Sequence, residues 1–131
     1  MSVKNVLIID NDLGFVFWLG QALDAAGYET LPAKGITEAV SLLAELKVRI
    51  DVLIVRCTLN GAGDFARAFR ASQKGYLKTI ALVDETDGHG ERMKDWDGWQ
   101  LKPRMPDILA RNTFLSLVQG VLSLDTPVPR T

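Results

Sequence analysis

Disulfides, long apolar runs and charge of one sign are all missing from this sequence, and each absence removes a class of protein. One cysteine, Cys57, in 131 residues cannot build a disulfide framework, so a reducing compartment is expected. One histidine, His89, lies between two glycines with no second His or Cys at ligand spacing, and it reads as a solvated loop residue. With 15 basic and 16 acidic residues the net charge is −1, which leaves no electrostatic footprint for nucleic acid and no reason for a membrane partner. No stretch approaches the roughly 18 apolar residues of a membrane span, and the start of the chain lacks the apolar core and cleavage site of a secretion signal. A cytoplasmic location is therefore expected.

Repeats, low-complexity segments and the common catalytic signatures are also lacking. There is no phosphate loop of the Gly-x-x-x-x-Gly-Lys-Ser/Thr type, no Gly-x-Gly-x-x-Gly after the first apolar run and no Gly-x-Ser-x-Gly elbow. Ser-His-Asp catalysis would need His89, which stands in a polar loop. The acids of segment 84–98 do not have the alternate spacing of a calcium loop and are interrupted by Arg92 and Lys94. No enzyme activity, cofactor or metal is expected from these residues.

What is present is the length of one domain and a regular alternation of two patterns. Short apolar runs occur at Val6–Ile9, Glu29–Leu31, Val52–Val55, Ile80–Val83 and, more weakly, Trp99–Leu101. Three of them are apolar at every position, the habit of parallel strands covered on both faces. Between them lie helix-period segments. Phe15, Trp18, Leu19, Ala22, Leu23 and Ala26 mark the first, stopped by Gly27. Ile36, Ala39, Val40 and Leu43 mark a second, and Phe65, Ala68 and Phe69 a third over about 64–72. Segment 107–124 carries the longest, and segment 84–98 has room only for a short helix around 91–96. The order predicts an α/β domain over 1–124, with right-handed crossovers and helices on both sheet faces. Residues 125–131, with Pro127 and Pro129, read as a tail or the start of a linker.

In such sheets the functional crevice lies beyond the carboxyl ends of the strands. Asp10, Asn11 and Asp12 follow the first run, Arg56 the third, Asp84 the fourth, and Lys102 with Pro103 the fifth. Four buried runs that each close on a charged residue mark one polar site.

Over residues 3–124 this pattern resembles the receiver domain of two-component response regulators. Val6-Leu7-Ile8-Ile9-Asp10-Asn11-Asp12 is similar to the family's first motif, Asp51–Arg56 to its third strand, and Gln100-Leu101-Lys102-Pro103 to its Lys-Pro motif. Asn60-Gly61 stands where the family usually has Pro-Gly, and Gly27-Tyr28-Glu29 is similar to its entry into the second strand. The resemblance implies a flavodoxin-like doubly wound fold with five parallel strands in the order 2-1-3-4-5 and with the fourth helix shortened. It also implies a site of Asp10, Asn11, Arg56, Asp84 and Lys102 that has lost its chemistry. Arg56 holds the phosphoacceptor position, and a guanidinium can neither form an acyl phosphate nor ligate a metal. Asn11 replaces a metal-binding acid, and Asp84 replaces the hydroxyl residue that reads the phosphoryl group.

Two cations and two carboxylates, Arg56 and Lys102 against Asp10 and Asp84, allow the pocket to neutralise itself, with Asp12 turned to solvent. The alternative is that Arg56 and Lys102 grip an anion. The expected function is a pseudo-receiver that signals through protein contacts without phosphorylation, its partner an unidentified protein or a second copy. The alternative is a receiver-like wing that helps assemble a larger enzyme or regulator. Met93, Trp96 and Trp99 around the fifth strand, and Val16 with Phe17 on the first helix, are the candidate partner surfaces. Cys57 reads as a small core residue.

Overall fold

The computed structural model describes residues 3–73, 76–84, 95–103 and 107–124. Five parallel strands, β1 (Asn5–Ile9), β2 (Glu29–Ala33), β3 (Val52–Arg56), β4 (Lys78–Val83) and β5 (Gly98–Leu101), pair in the order β2-β1-β3-β4-β5. Among the described residues four helices accompany them: α1 (Leu13–Ala25), α2 (Ile36–Leu46), α3 (Ala62–Ser72) and α4 (Ile108–Ser123). This is the flavodoxin-like order expected. The short helix expected around 91–96, Met93 and the tail at 125–131 fall wholly or mostly outside the described residues.

The unbroken apolar runs are explained by burial on both faces. Val6, Ile8, Val52, Ile54, Ile80 and Leu82 join Phe15, Leu19, Phe114 and Val118 in one core layer, beneath α1 and α4. Leu7, Ile9, Leu53 and Val55 point the other way and pack on Ala39, Ala62 and Ala66 of α2 and α3. Alternate residues of each strand thus feed alternate layers, as the two-residue pleat requires. β2 is an edge strand, so Pro32 inside it removes no ladder bond that the sheet needs. Gly27 and Gly61, with φ of 98° and 82°, adopt the left-handed backbone that ends α1's turn and opens α3.

The helix caps are local chemistry. Asp12 accepts from the Phe15 amide at 3.2 Å and Asp107 from the Ala110 amide at 2.8 Å, each satisfying a free N–H of a helix start. At the far edge Asp97 accepts from the Thr79 amide at 2.8 Å and from Arg70 Nη2 at 2.9 Å, which ties the entry of β5 to β4 and α3.

Glycines give the test of this packing. A Cβ on Gly98 would lie 3.0 Å from Leu117 Cδ1 and 3.2 Å from Val121 Cγ1, so β5 approaches α4 only because that atom is missing. A Cβ on Gly63, in exposed α3, would meet nothing within 4 Å. Gly98→Val is expected to destabilise the domain by about 1–3 kcal/mol through overpacking. Gly63→Ala should stabilise it by about 0.5–1 kcal/mol. Urea titrations of the two variants check both signs.

Candidate functional site

The alternation that builds the core also assembles the site. Asp10 continues the sequence Val6, Ile8; Arg56 continues Val52, Ile54; Asp84 continues Ile80, Leu82; and Lys102 continues Gly98, Gln100. The strands run parallel and in register, so four chain-distant charges emerge on one side of the sheet, at its carboxyl end. The nearer helix ends there belong to α1 and α4.

Asp10 is the centre, with no exposed surface. Its Oδ1 accepts from the Asp12 amide at 3.1 Å, and its Oδ2 lies 2.9 Å from Lys102 Nζ. The second contact is an ion pair whose approach does not align a hydrogen bond on that oxygen. Lys102 reaches on to Asp12 Oδ2 at 3.3 Å and rests 5.0 Å from the centre of the Phe15 ring, so its ammonium is enclosed by two carboxylates and an aromatic face.

Arg56 turns into the pocket. Its Nη2 pairs with Asp84 Oδ2, its Nη1 donates to Asn11 Oδ1 at 3.2 Å and stands 4.0 Å from Asp10 Oδ1, and its Nε donates to Thr58 Oγ1 at 3.1 Å. Each nitrogen of the fork thus has a side-chain partner within the site. Asp10, Asn11, Arg56, Asp84 and Lys102 are therefore brought together as the sequence reading expected.

Other expectations are corrected. Asp12 is half-exposed but not turned away, since it caps α1 and meets Lys102. The Phe15 amide above all holds its carboxyl below its ordinary value; burial, next in size, opposes this, and Lys102 and then Arg56 add to the lowering. The spacing Asp12-x-x-Phe15 at a helix start was the signal for this role. Thr58 was missed altogether and has no signal beyond lying two residues from Arg56.

Val16 is 2% exposed and belongs to the core layer, because α1 lies flat between β1 and β2 and buries a wider sector than its apolar stripe implied. Phe17, at 61%, is exposed as expected. Trp96 is half-buried and packs on the layers formed by Leu7 and Ala81, so it props the β5 edge rather than projecting from it. Trp99 is partly open. Cys57 packs beside Ala81 and Val83.

The magnesium ion that the resemblance implies does not fit these residues. It wants several anionic oxygens in near-octahedral array. Here both oxygens of Asp10 face an amide or a cation, and the guanidinium holds Asn11 and Asp84. Among the described residues no cluster of three or more His, Cys, Asp or Glu could hold a metal ion.

The fold is that of a response-regulator receiver domain, the CheY-like fold of two-component signalling. The chemotaxis response regulator CheY4 of Vibrio cholerae superposes with a TM-score of 0.75 at 25% identity, over 92% of this chain and 100% of that one. A receiver domain from Clostridium thermocellum gives 0.75 at 19%, over 93% and 96%, and the non-phosphorylated HemR receiver of Leptospira biflexa 0.73 at 23%, over 95% and 98%. No family model and no curated protein matches the sequence. No helix among the described residues is long and apolar enough to cross a membrane.

Burial ranks the two cations. Lys102→Ala would leave a fully buried carboxylate with a cation no nearer than 4.0 Å, and is expected to cost about 3–5 kcal/mol. Arg56→Ala removes a pair whose side chains are 25% and 27% exposed, so water compensates in part and about 1–3 kcal/mol is expected. Denaturant unfolding of both variants tests the order; equal or reversed costs would contradict it.

Asp12 supplies a pH signature. A carboxyl held low when folded contributes stability that is fully present above its unfolded value of about 3.9 and is lost as pH falls through the lower folded value. Asp12→Ala should cost about 0.5–2 kcal/mol at neutral pH as a lost cap. The gap from wild type should narrow as pH drops below about 4, measured by unfolding at a series of pH values.

Proposed function

We propose that the chain is a pseudo-receiver: a cytoplasmic signalling module that works by protein contact, without phosphorylation and without catalysis of its own. The observation that supports this reading is the Arg56 guanidinium in the pocket, paired with Asp84 and bonded to Asn11 beside buried Asp10. A phosphoryl group needs a carboxylate nucleophile at the end of β3 and a metal to balance its charge. Arg56 supplies no nucleophile, and its own positive charge stands among the groups that would face the metal. Asp84 in place of a hydroxyl adds a negative charge where an incoming phosphoryl group would be repelled.

A site in which each carboxylate already meets a side-chain cation has one stable arrangement. Its output is then set by how much of the protein is present and which partner meets it, not by a covalent switch. Lys102, gripped by Asp10 and Asp12, is fixed in that arrangement as firmly as Arg56.

The test is incubation with a small acyl-phosphate donor and Mg²⁺, followed by intact mass measurement. No added phosphate is expected. A hydroxylamine-labile adduct on any aspartate would overturn the reading.

A further inference from the structure

The four asparagines of the chain meet different surroundings. Asn5 donates through Nδ2 to the Arg49 carbonyl at 2.8 Å, and Asn11 accepts from Arg56 Nη1 at 3.2 Å. Asn112 lies inside α4, with its backbone held in the helix. Asn60 is exposed, at the tip of the turn that leads from β3 into α3. Its carboxamide has no hydrogen-bond partner among the described residues.

The following residue separates Asn60 further from the rest. Val6 lies within β1, Thr113 within α4, and the Asp12 amide donates to Asp10 Oδ1 at 3.1 Å. All three carry side chains that crowd their own backbone nitrogen. Asn60 precedes Gly61, whose amide has no acceptor among the described residues. The turn is closed on either side of it, by the Leu59 amide on the Arg56 carbonyl at 3.2 Å and the Ala62 amide on the Leu59 carbonyl at 3.0 Å. A Cβ on Gly61 would meet nothing within 4 Å, so the space around this backbone is open.

From this we infer that Asn60 is a site of spontaneous covalent modification, its carboxamide converted to a carboxylate by the backbone of its neighbour. The Gly61 nitrogen attacks Asn60 Cγ. A bond forms between them, the Cγ–Nδ2 bond breaks, and Nδ2 leaves as ammonia with the proton that the Gly61 amide gives up. Water then opens the five-membered imide. Hydrolysis at Cγ yields aspartate, and hydrolysis at the main-chain carbonyl carbon yields isoaspartate, with the main chain rerouted through Cβ and Cγ. Water is the sole co-reactant. Glycine suits the attacking position because no side chain shields its nitrogen.

A following glycine is not sufficient, as Asp97-Gly98 shows. Asp97 accepts from the Thr79 amide at 2.8 Å and from Arg70 Nη2 at 2.9 Å, and Gly98 opens β5 against Leu117, so that carboxyl is not free to close on the next nitrogen. At Asn60 nothing of the kind intervenes. α3 starts at Gly61 without a side-chain cap, so the new carboxylate stands beside unbonded N–H groups of a helix start. It also adds one negative charge to a chain of net charge −1, on the edge of the sheet that holds Arg56. The isoaspartyl form lengthens the main chain between Arg56 and α3. The domain thus carries an irreversible change that accrues with its age, and this stands whether or not the pocket takes up a phosphoryl group.

The full chain, held at neutral pH and physiological temperature for weeks, is followed by ion exchange, intact mass and peptide mapping, beside a synthetic peptide of residues 53–70. A single added acid is expected, at residue 60, as a mixture of isoaspartate and aspartate. An exposed turn opens at little free-energy cost, so the rate in the folded chain should lie within about tenfold of that in the peptide. Asn60→Gln, whose longer side chain must close a larger ring, should stop the acid from forming while leaving denaturant unfolding unchanged. Asn5, Asn11 and Asn112 should remain amides. A folded chain that keeps Asn60 while the peptide is converted would overturn the inference. So would conversion of Asn11 or Asn112 as fast as Asn60, or an Asn60→Gln chain that gains acid at the wild-type rate.

Discussion

Asp10 carries a carboxylate with none of its surface in water, at the end of the strand next to the sheet's edge. A charge in that position demands compensation within the protein, and the demand organises the whole carboxyl edge of the sheet. Lys102 arrives from the end of β5 to supply it, and Arg56 approaches from β3. Once Arg56 is drawn inward its fork needs further acceptors, which Asp84, Asn11 and Thr58 provide. Four of the five strands' ends, or the turns that follow them, are thereby tied to one another by electrostatics, above the two apolar core layers.

The same arrangement underlies the proposed reading of the pocket, and Lys102 extends the network to Asp12, whose carboxylate also caps α1. The ion pairs thus hold the first helix at its origin. That helix carries the exposed Phe17 and packs on α4 through Phe15 and Phe114.

Much of the fold was legible because its cause is local. A strand buried on both faces must be apolar at every residue, and Val6–Ile9, Val52–Val55 and Ile80–Val83 say so directly. Helix periods, Gly27 and the charges at strand ends placed the crossovers and the crevice. The strand order came from resemblance rather than from the residues, since nothing in a parallel strand names its neighbour.

What the sequence alone determined is therefore the succession of elements, their double-sided burial, and which charges stand at the carboxyl edge, because pleat and helix period are properties of the chain itself. The tertiary structure decided how those charges pair. Arg56 takes Asp84 and Asn11 while Lys102 takes Asp10 and Asp12, a choice fixed by strand register and reach across the sheet. It also decided that Val16 is core and its neighbour Phe17 surface. Successive residues on a helix are about 100° apart, so which of two apolar neighbours is buried depends on how the helix is rolled against the sheet, and only packing sets that roll.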